Sequence, residues 1–223
     1  MFDAIAPRYD LLNRVLSVGI DKRWRLRAIR SLGLTGCETL LDVCSGTADV
    51  ALEARRTGAA AKVLGVDFAR AMLRIGVGKI AREGRTPEIT LVQGDATSLP
   101  VSSSSVDAVT VAFGIRNVEH PEAACREMAR TLRPGDRLAI LEFGVPRIPG
   151  ISALYLWYFK YLLPKVGNAV SKHSSAYAYL PASVSTFPPP EAFCDILVAA
   201  GFSDVKAVPL TFGIVYLYTA RRA

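Results

Sequence analysis

The stretch that most constrains this chain is Thr39 to Ala54, TLLDVCSGTADVALEA. Thr39 to Val43 reads as a short buried strand: apolar, partly β-branched and carrying an acid, Asp42. Cys44-Ser45-Gly46-Thr47-Ala48 are all small, and after Asp49 the run turns helical at Val50, Ala51 and Ala54. A strand, a small-residue turn and a helix form the first unit of a doubly wound α/β fold. Ligands of such folds bind at the carboxyl ends of the strands, over the first helix N-terminus. Gly46 lacks a Cβ and lets the backbone approach a ligand. The stretch predicts a nucleotide-like cofactor without saying which.

The rest of the chain repeats this alternation. Lys62 to Val66 reads as a strand ending in Asp67, followed by a helix from Phe68 to Arg82 and a third strand from Ile89 to Val92. Val106 to Phe113 is a fourth strand and Pro121 to Leu132 an amphipathic helix. Arg133 to Asp136 turns the chain, and Arg137 to Phe143 is a fifth strand. A helix from Glu191 to Ala200, with Gly201 as its cap, precedes a closing hairpin of Val205–Leu210 and Gly213–Thr219. Regular alternation argues a parallel sheet with right-handed crossovers. The expectation is one domain: an extension over 1–34, a cofactor-binding core over 35–143, an insertion over 144–190 and a closing helix and hairpin over 191–223.

Ahead of the first strand, Leu12, Leu16, Ile20, Trp24 and Ala28 recur at helical spacing. Gly19 breaks the stripe, and Asp21 is placed to cap the second piece. This extension, with Phe2, Tyr9 and Asn13, reads either as a packing element or as a lid over a cofactor. The first 30 residues hold seven basic residues against three acids, within a net charge of +7. Such an end can meet nucleic acid or an anionic membrane face, or it is a solvated helix face. Four scattered cysteines argue against a disulfide framework and for a reducing, cytoplasmic setting. The longest apolar run, Ile148 to Phe159, has 12 residues and contains Pro149 and Gly150, too short for a span of ~20. Residues 152–163 are rich in aromatics and could roof the crevice, or pack as a buried helix.

The cofactor follows from what the loop lacks. A dinucleotide site wants GxGxxG, whose second glycine admits the pyrophosphate; here Gly46 stands alone. S-adenosyl-L-methionine has a ribose and an adenine but no phosphate. Asp42, Gly46, Thr47 and Asp49 suit its amino-acid end, with backbone amides for the carboxylate and acids for the ammonium. Asp67, 21 residues after Gly46, is placed for the ribose hydroxyls, and Phe68 beside it joins the cofactor set. Asp95 can meet the adenine amino group, with the Ala96 N–H for a ring nitrogen. Arg116 and Asn117, directly after the fourth strand, are expected to face the crevice. The alternative is a salt bridge and a turn.

The chain resembles the ubiquinone/menaquinone biosynthesis C-methyltransferase family over essentially its whole length. The carrying segments are FDAIAPRYDLLN at 2–13, LLDVCSGTAD at 40–49, QGDATSLP at 93–100, FGIRNV at 113–118, LEF at 141–143 and AYAYLPASV at 176–184. The resemblance implies a Rossmann-like class I methyltransferase with a mostly parallel seven-stranded sheet and an antiparallel closing strand. It places cofactor contacts at Thr47, Asp67, Asp95 and Ala96. Ala48 replaces the family's second loop glycine; a helix-start conformation accepts Ala, so a negative φ is expected there. Ala112 stands where the family often has Ser, and Ala178 where a basic residue is common. The family usually carries residues ahead of the position of Phe2.

The implied reaction is methylation of a ring carbon of a demethylated isoprenoid quinol. That reaction needs a group for the phenolic charge, and Arg116, at its strand end, is expected to stabilise that charge or organise a water that takes the proton. Asn117 would orient the ring, and Tyr9 and Asn13 would close the lid. His120 and His173 match no motif and are read as structural. No metal is expected. The isoprenoid tail accounts for the aromatic insertion, and the basic extension suggests peripheral contact with an anionic membrane. Nucleic acid is not expected as a partner: the amino-methylating Asn-Pro-Pro-aromatic and the cytosine-directed Pro-Cys motifs are absent, and basic residues lack aromatic interleaving beyond Trp24. Two alternatives stay open: a methyltransferase of the same fold acting on a benzoquinol or another small aromatic, and a non-catalytic cofactor-binding protein. The oligomeric state is not legible.

Overall fold

The computed structural model describes residue 17, residues 19–150, residues 152, 155 and 157, and residues 182–223. The expected lid residues Phe2, Tyr9 and Asn13, most of the aromatic insertion, His173 and Tyr177–Tyr179 lie outside the described residues.

Seven strands form one sheet: β1 (Thr39–Val43), β2 (Lys62–Asp67), β3 (Ile89–Gln93), β4 (Val106–Ala112), β5 (Leu132–Phe143), β6 (Phe202–Leu210) and β7 (Val215–Arg222). The order is β3-β2-β1-β4-β5-β7-β6. Pairs within β1 to β5 are parallel, and β7 runs antiparallel to both β5 and β6. The expected class I methyltransferase sheet is therefore present, with its closing hairpin. The chain leaves β1 towards β2 and returns to β4 on β1's other side. That reversal opens a crevice at the carboxyl ends of β1 and β4, where doubly wound folds bind ligands.

Alternation along the buried strands builds two cores. Leu41, Val43, Val109, Val111, Leu138 and Ile140 pack on one face beneath α4 (Pro121–Thr131) and α5 (Pro190–Ala199). Leu40, Ala108, Ala139 and Leu141 face the other way, against α1 (Asp21–Ser31) and α2 (Asp49–Arg56). A strand's side chains alternate between faces, and covering both faces buries each set. The fifth helix of the set, α3 (Arg70–Arg82), follows β2.

Three local expectations are corrected. Asp21 does not cap α1. Ile20 holds the cap position, and the Asp21 carboxylate pairs with Arg25 at 2.8 Å and accepts the Ser17 hydroxyl at 2.8 Å. A buried carboxylate gains more from a cation one turn on than from an orphan amide. The segment Arg133–Asp136 is not a turn before β5 but an irregularity inside it: Leu132 pairs with Val106, and pairing resumes at Arg137 with Ala108. Phe113 falls outside β4 because it is left-handed, with φ 61°. Of the basic residues in α1, Lys22, Arg23, Arg27 and Arg30 are exposed, whereas Arg25 is buried. Among the described residues no helix is long and apolar enough to cross a membrane.

Candidate functional site

The turn after β1 is built from alternating conformations. Cys44, Gly46 and Ala48 have φ of 56°, 55° and 66°. Alternation of left-handed with ordinary residues turns backbone N–H groups into a concavity that favours negative charge. The Gly46 N–H donates to Asp67 Oδ2 at 2.7 Å, and the Ala69 N–H donates to Asp67 Oδ1 at 2.8 Å. The carboxylate at the end of β2 thus ties the first turn to the second.

The positive φ at Ala48 contradicts the expected negative value. Ala48 is the residue before α2, its N–H donates to the Ser45 carbonyl at 2.9 Å, and its own carbonyl accepts from the Leu52 N–H at 2.9 Å. Those bonds hold a conformation that costs a non-glycine residue roughly 1–2 kcal/mol. Its methyl is fully buried, and a Cβ added at Gly76 of α3 would lie 3.3 Å from it. The family's second glycine is thus replaced by Ala in a turn that still keeps a glycine-like conformation.

A cavity of about 340 Å³ opens beside this turn. Gly46, Asp67, Phe68, Asp95 and Ala96 line it, as does Asn117. Phe68 is 75% exposed and presents a free ring at the edge. Asp95 Oδ1 accepts from the Thr97 N–H and hydroxyl, both at 2.8 Å. These bonds hold its carboxyl below the ordinary carboxylate range. Cys44 also lines the cavity, and burial pushes its thiol up, which keeps it neutral.

The other expected cofactor residues sit behind this lining. Asp42 is 1% exposed; its Oδ2 accepts the Ser45 hydroxyl at 2.8 Å, while Oδ1 has no hydrogen-bond partner among the described residues. Burial pushes its carboxyl up to about 7 against the Ser45 bond, and the nearby Asp67 charge adds to the rise. The Oγ of Thr110, paired with Asp42 in the β1–β4 register, is also unpartnered among the described residues. Thr47 and Asp49 meet Lys79 of α3: Nζ bonds the Thr47 hydroxyl at 3.2 Å and pairs with the Asp49 carboxylate. Arg25 lies 3.3 Å from the other Asp49 oxygen. An acid expected for the cofactor ammonium is thus flanked by two of the protein's own cations.

Asn117 faces the cavity as expected; Arg116 does not. Its guanidinium is buried, pairs with fully buried Glu142 at 2.6 Å and donates to the Phe113 carbonyl at 2.6 Å. It also reaches Ser183 Oγ at 3.3 Å and lies 5.3 Å from the Phe143 ring centroid. The reason is electrostatic: a buried carboxylate on β5 holds the cation away from solvent. Sequence reasoning placed Arg116 by its strand end and had no signal for the direction of its side chain.

Gly114, inside the 113–118 segment, also lines the cavity, and it must be glycine because a Cβ there would collide with Cys44. His120, immediately before α4, lines it together with Glu119, although its position matches no motif. Its place two residues past Val118 of the FGIRNV segment was the available clue.

Known proteins resemble this chain along its whole length. A profile of the ubiE/COQ5 methyltransferase family matches residues 1–222. The chain is 46% identical to the ubiquinone/menaquinone biosynthesis C-methyltransferase UbiE of Syntrophotalea carbinolica, over all of this chain and 93% of that one. It is 44% identical to the demethylmenaquinone methyltransferase of Thermus thermophilus, end to end in both. Among solved structures, phosphoethanolamine N-methyltransferase 2 of Haemonchus contortus, in complex with S-adenosyl-L-methionine, superposes with a TM-score of 0.68 at 14% identity. That match covers 90% of this chain and 52% of the other. The [4+2]-cyclase SpnF superposes at 0.67 with 19% identity, over 90% and 80%. A cyclase shares this architecture, so the structural likenesses speak for the fold alone.

Proposed function

The chain belongs to the ubiE/COQ5 methyltransferase family, and on that premise we propose that it methylates a ring carbon of demethylmenaquinol with S-adenosyl-L-methionine. The product would be menaquinol, in the last step of menaquinone biosynthesis. The naphthoquinol is favoured over a benzoquinol because relatives from Thermus thermophilus and Bacteroides fragilis, at 44% and 40% identity, are named for that substrate.

The observation that carries the reading is the lining of the 340 Å³ cavity, which brings Gly46, Asp67, Asp95 and Ala96 together with Asn117 and His120. Asp67 would accept the ribose hydroxyls, Asp95 and the Ala96 N–H would take the adenine edge, and Phe68 would stack on its face. Gly46 lets the backbone come close. Thr47, Asp49 and Asp42 support the turn from behind. When bound, the cofactor supplies an electrophilic methyl group on a sulfonium.

A ring carbon becomes nucleophilic as the neighbouring hydroxyl gives up its proton, so the facing wall needs polar groups near that oxygen. Asn117 offers its amide there. Arg116 acts one layer back, as a positioning residue. Its Nη1 and Asn117 Nδ2 both donate to the Phe113 carbonyl, at 2.6 and 3.4 Å, so Arg116 fixes the segment that carries Asn117. Positioning of this kind is how an enzyme converts binding into rate.

The test is anaerobic incubation with demethylmenaquinol and S-adenosyl-L-methionine, followed by mass spectrometry. The reading expects a singly methylated product; a protein that binds the cofactor but forms none overturns it. A demethylated benzoquinol run in parallel decides the substrate class. The exposed Lys22, Arg23, Arg27 and Arg30 further support peripheral contact with anionic lipid. Flotation with anionic liposomes at low salt is the expected result, and failure to float removes that contact.

A further inference from the structure

A second cavity, of about 280 Å³, lies where the chain leaves β5. Among the described residues its wall is mostly apolar: Phe143, Val184, Phe187, the run Pro188–Pro190 and Tyr218, with Ser185 beside them. The one charged side chain among the described lining residues, Arg147, is neutralised at 2.5 Å by both carboxylate oxygens of exposed Glu191. Val145 of the wall and Ile148 are both exposed, so apolar surface continues from the cavity to solvent.

The two cavities share a partition. Phe113 lines the first and Phe143 the second, and their ring centroids are 4.6 Å apart. Trp24 closes the group edge-on to Phe143, at 6.4 Å. Behind the partition the Arg116 guanidinium covers the Phe143 ring. A molecule with a polar aromatic head and an apolar tail needs this layout: hydrogen-bonding groups on one side, grease on the other, and an aromatic edge between.

We propose that the second cavity is the subsite for the apolar prenyl chain of the methyl acceptor, holding the isoprene units nearest the ring. The remainder of the chain leaves over Val145 and Ile148. This rests on the quinol reading above, yet its test needs no turnover. The binding of 1,4-naphthoquinols bearing zero, one or two isoprene units would be measured anaerobically, with S-adenosylhomocysteine present. Burying several methylene groups is expected to lower Kd about tenfold or more from the first to the last ligand. Equal Kd values across the wild-type series overturn the proposal.

Localisation is read on the unaltered protein with a naphthoquinol whose short prenyl chain ends in a photoreactive diazirine. Label within residues 182–191 or 143–148 is expected, and label confined elsewhere overturns the assignment. Val184→Trp fills the cavity, and Ser185→Trp crowds its mouth from an exposed position. Each is expected to shrink the tail-dependent gain to less than about twofold while S-adenosyl-L-methionine still binds. A full gain retained by a cofactor-binding variant of each kind counts against the subsite. Failure of methyl transfer in the assay above would instead strike the functional reading.

Discussion

Asp67 ends one strand and Arg116 follows another, both at the carboxyl edge of the sheet, and both are expected from the sequence to face the ligand. Only Asp67 does. Its carboxylate accepts from two backbone amides, of Gly46 and Ala69, which fix its direction. Arg116 meets a full opposing charge, Glu142, and turns inward with it. The difference teaches that strand ends fix where a residue sits, while a buried counter-ion such as Glu142 decides which way its side chain turns.

Glu142→Ala should break the inward half most severely. It leaves the Arg116 guanidinium buried without its partner, and stability should fall by about 3–5 kcal/mol in urea unfolding. A loss below about 1 kcal/mol would mean that the pair is not the reason Arg116 points inward. Asp67→Ala is the matching cut on the outward half. It should weaken S-adenosyl-L-methionine binding about 10- to 100-fold in a calorimetric titration, while the unfolding midpoint moves little.

Ala48→Val sharpens the comparison at the turn that Asp67 braces. A β-branched residue at φ 66° in a fully buried position should cost roughly 2 kcal/mol more than Ala, read as a lower urea midpoint. An unchanged midpoint would show that the turn relaxes out of the left-handed region.

Asp42→Asn gives the smallest effect, and one that depends on pH. The native carboxyl is raised to about 7 by burial, above its ordinary 3.8. Stability tied to that proton is complete below the ordinary value and is lost as pH rises through about 7. Asparagine never ionises, so the variant should gain on the wild type between pH 5 and pH 8, by a few degrees in Tm. A constant difference across that range would remove Asp42 as the source.

The sheet was legible because its information is periodic and local. Apolar runs, an acid at the end of β2 and turn residues between them recur at the spacings of a doubly wound fold. Asp67, Asp95, Gly46 and Asn117 were legible because strand ends carry them to the crevice whatever the packing. The rest depends on contacts between distant residues. Arg116 turns inward because of Glu142, 26 positions away, and Thr47 and Asp49 meet Lys79 of another helix. Ala48 misled for a different reason: local propensity favours negative φ, and the hydrogen bonds of the turn outweigh it.

The most direct test of the account is calorimetric titration of S-adenosyl-L-methionine into the wild type and Asp67→Ala. Both proteins should first show the same unfolding midpoint within a few degrees. The account predicts one cofactor per wild-type chain and at least tenfold weaker binding to the variant. Equal affinity in the two, or no binding to the wild type, would contradict it.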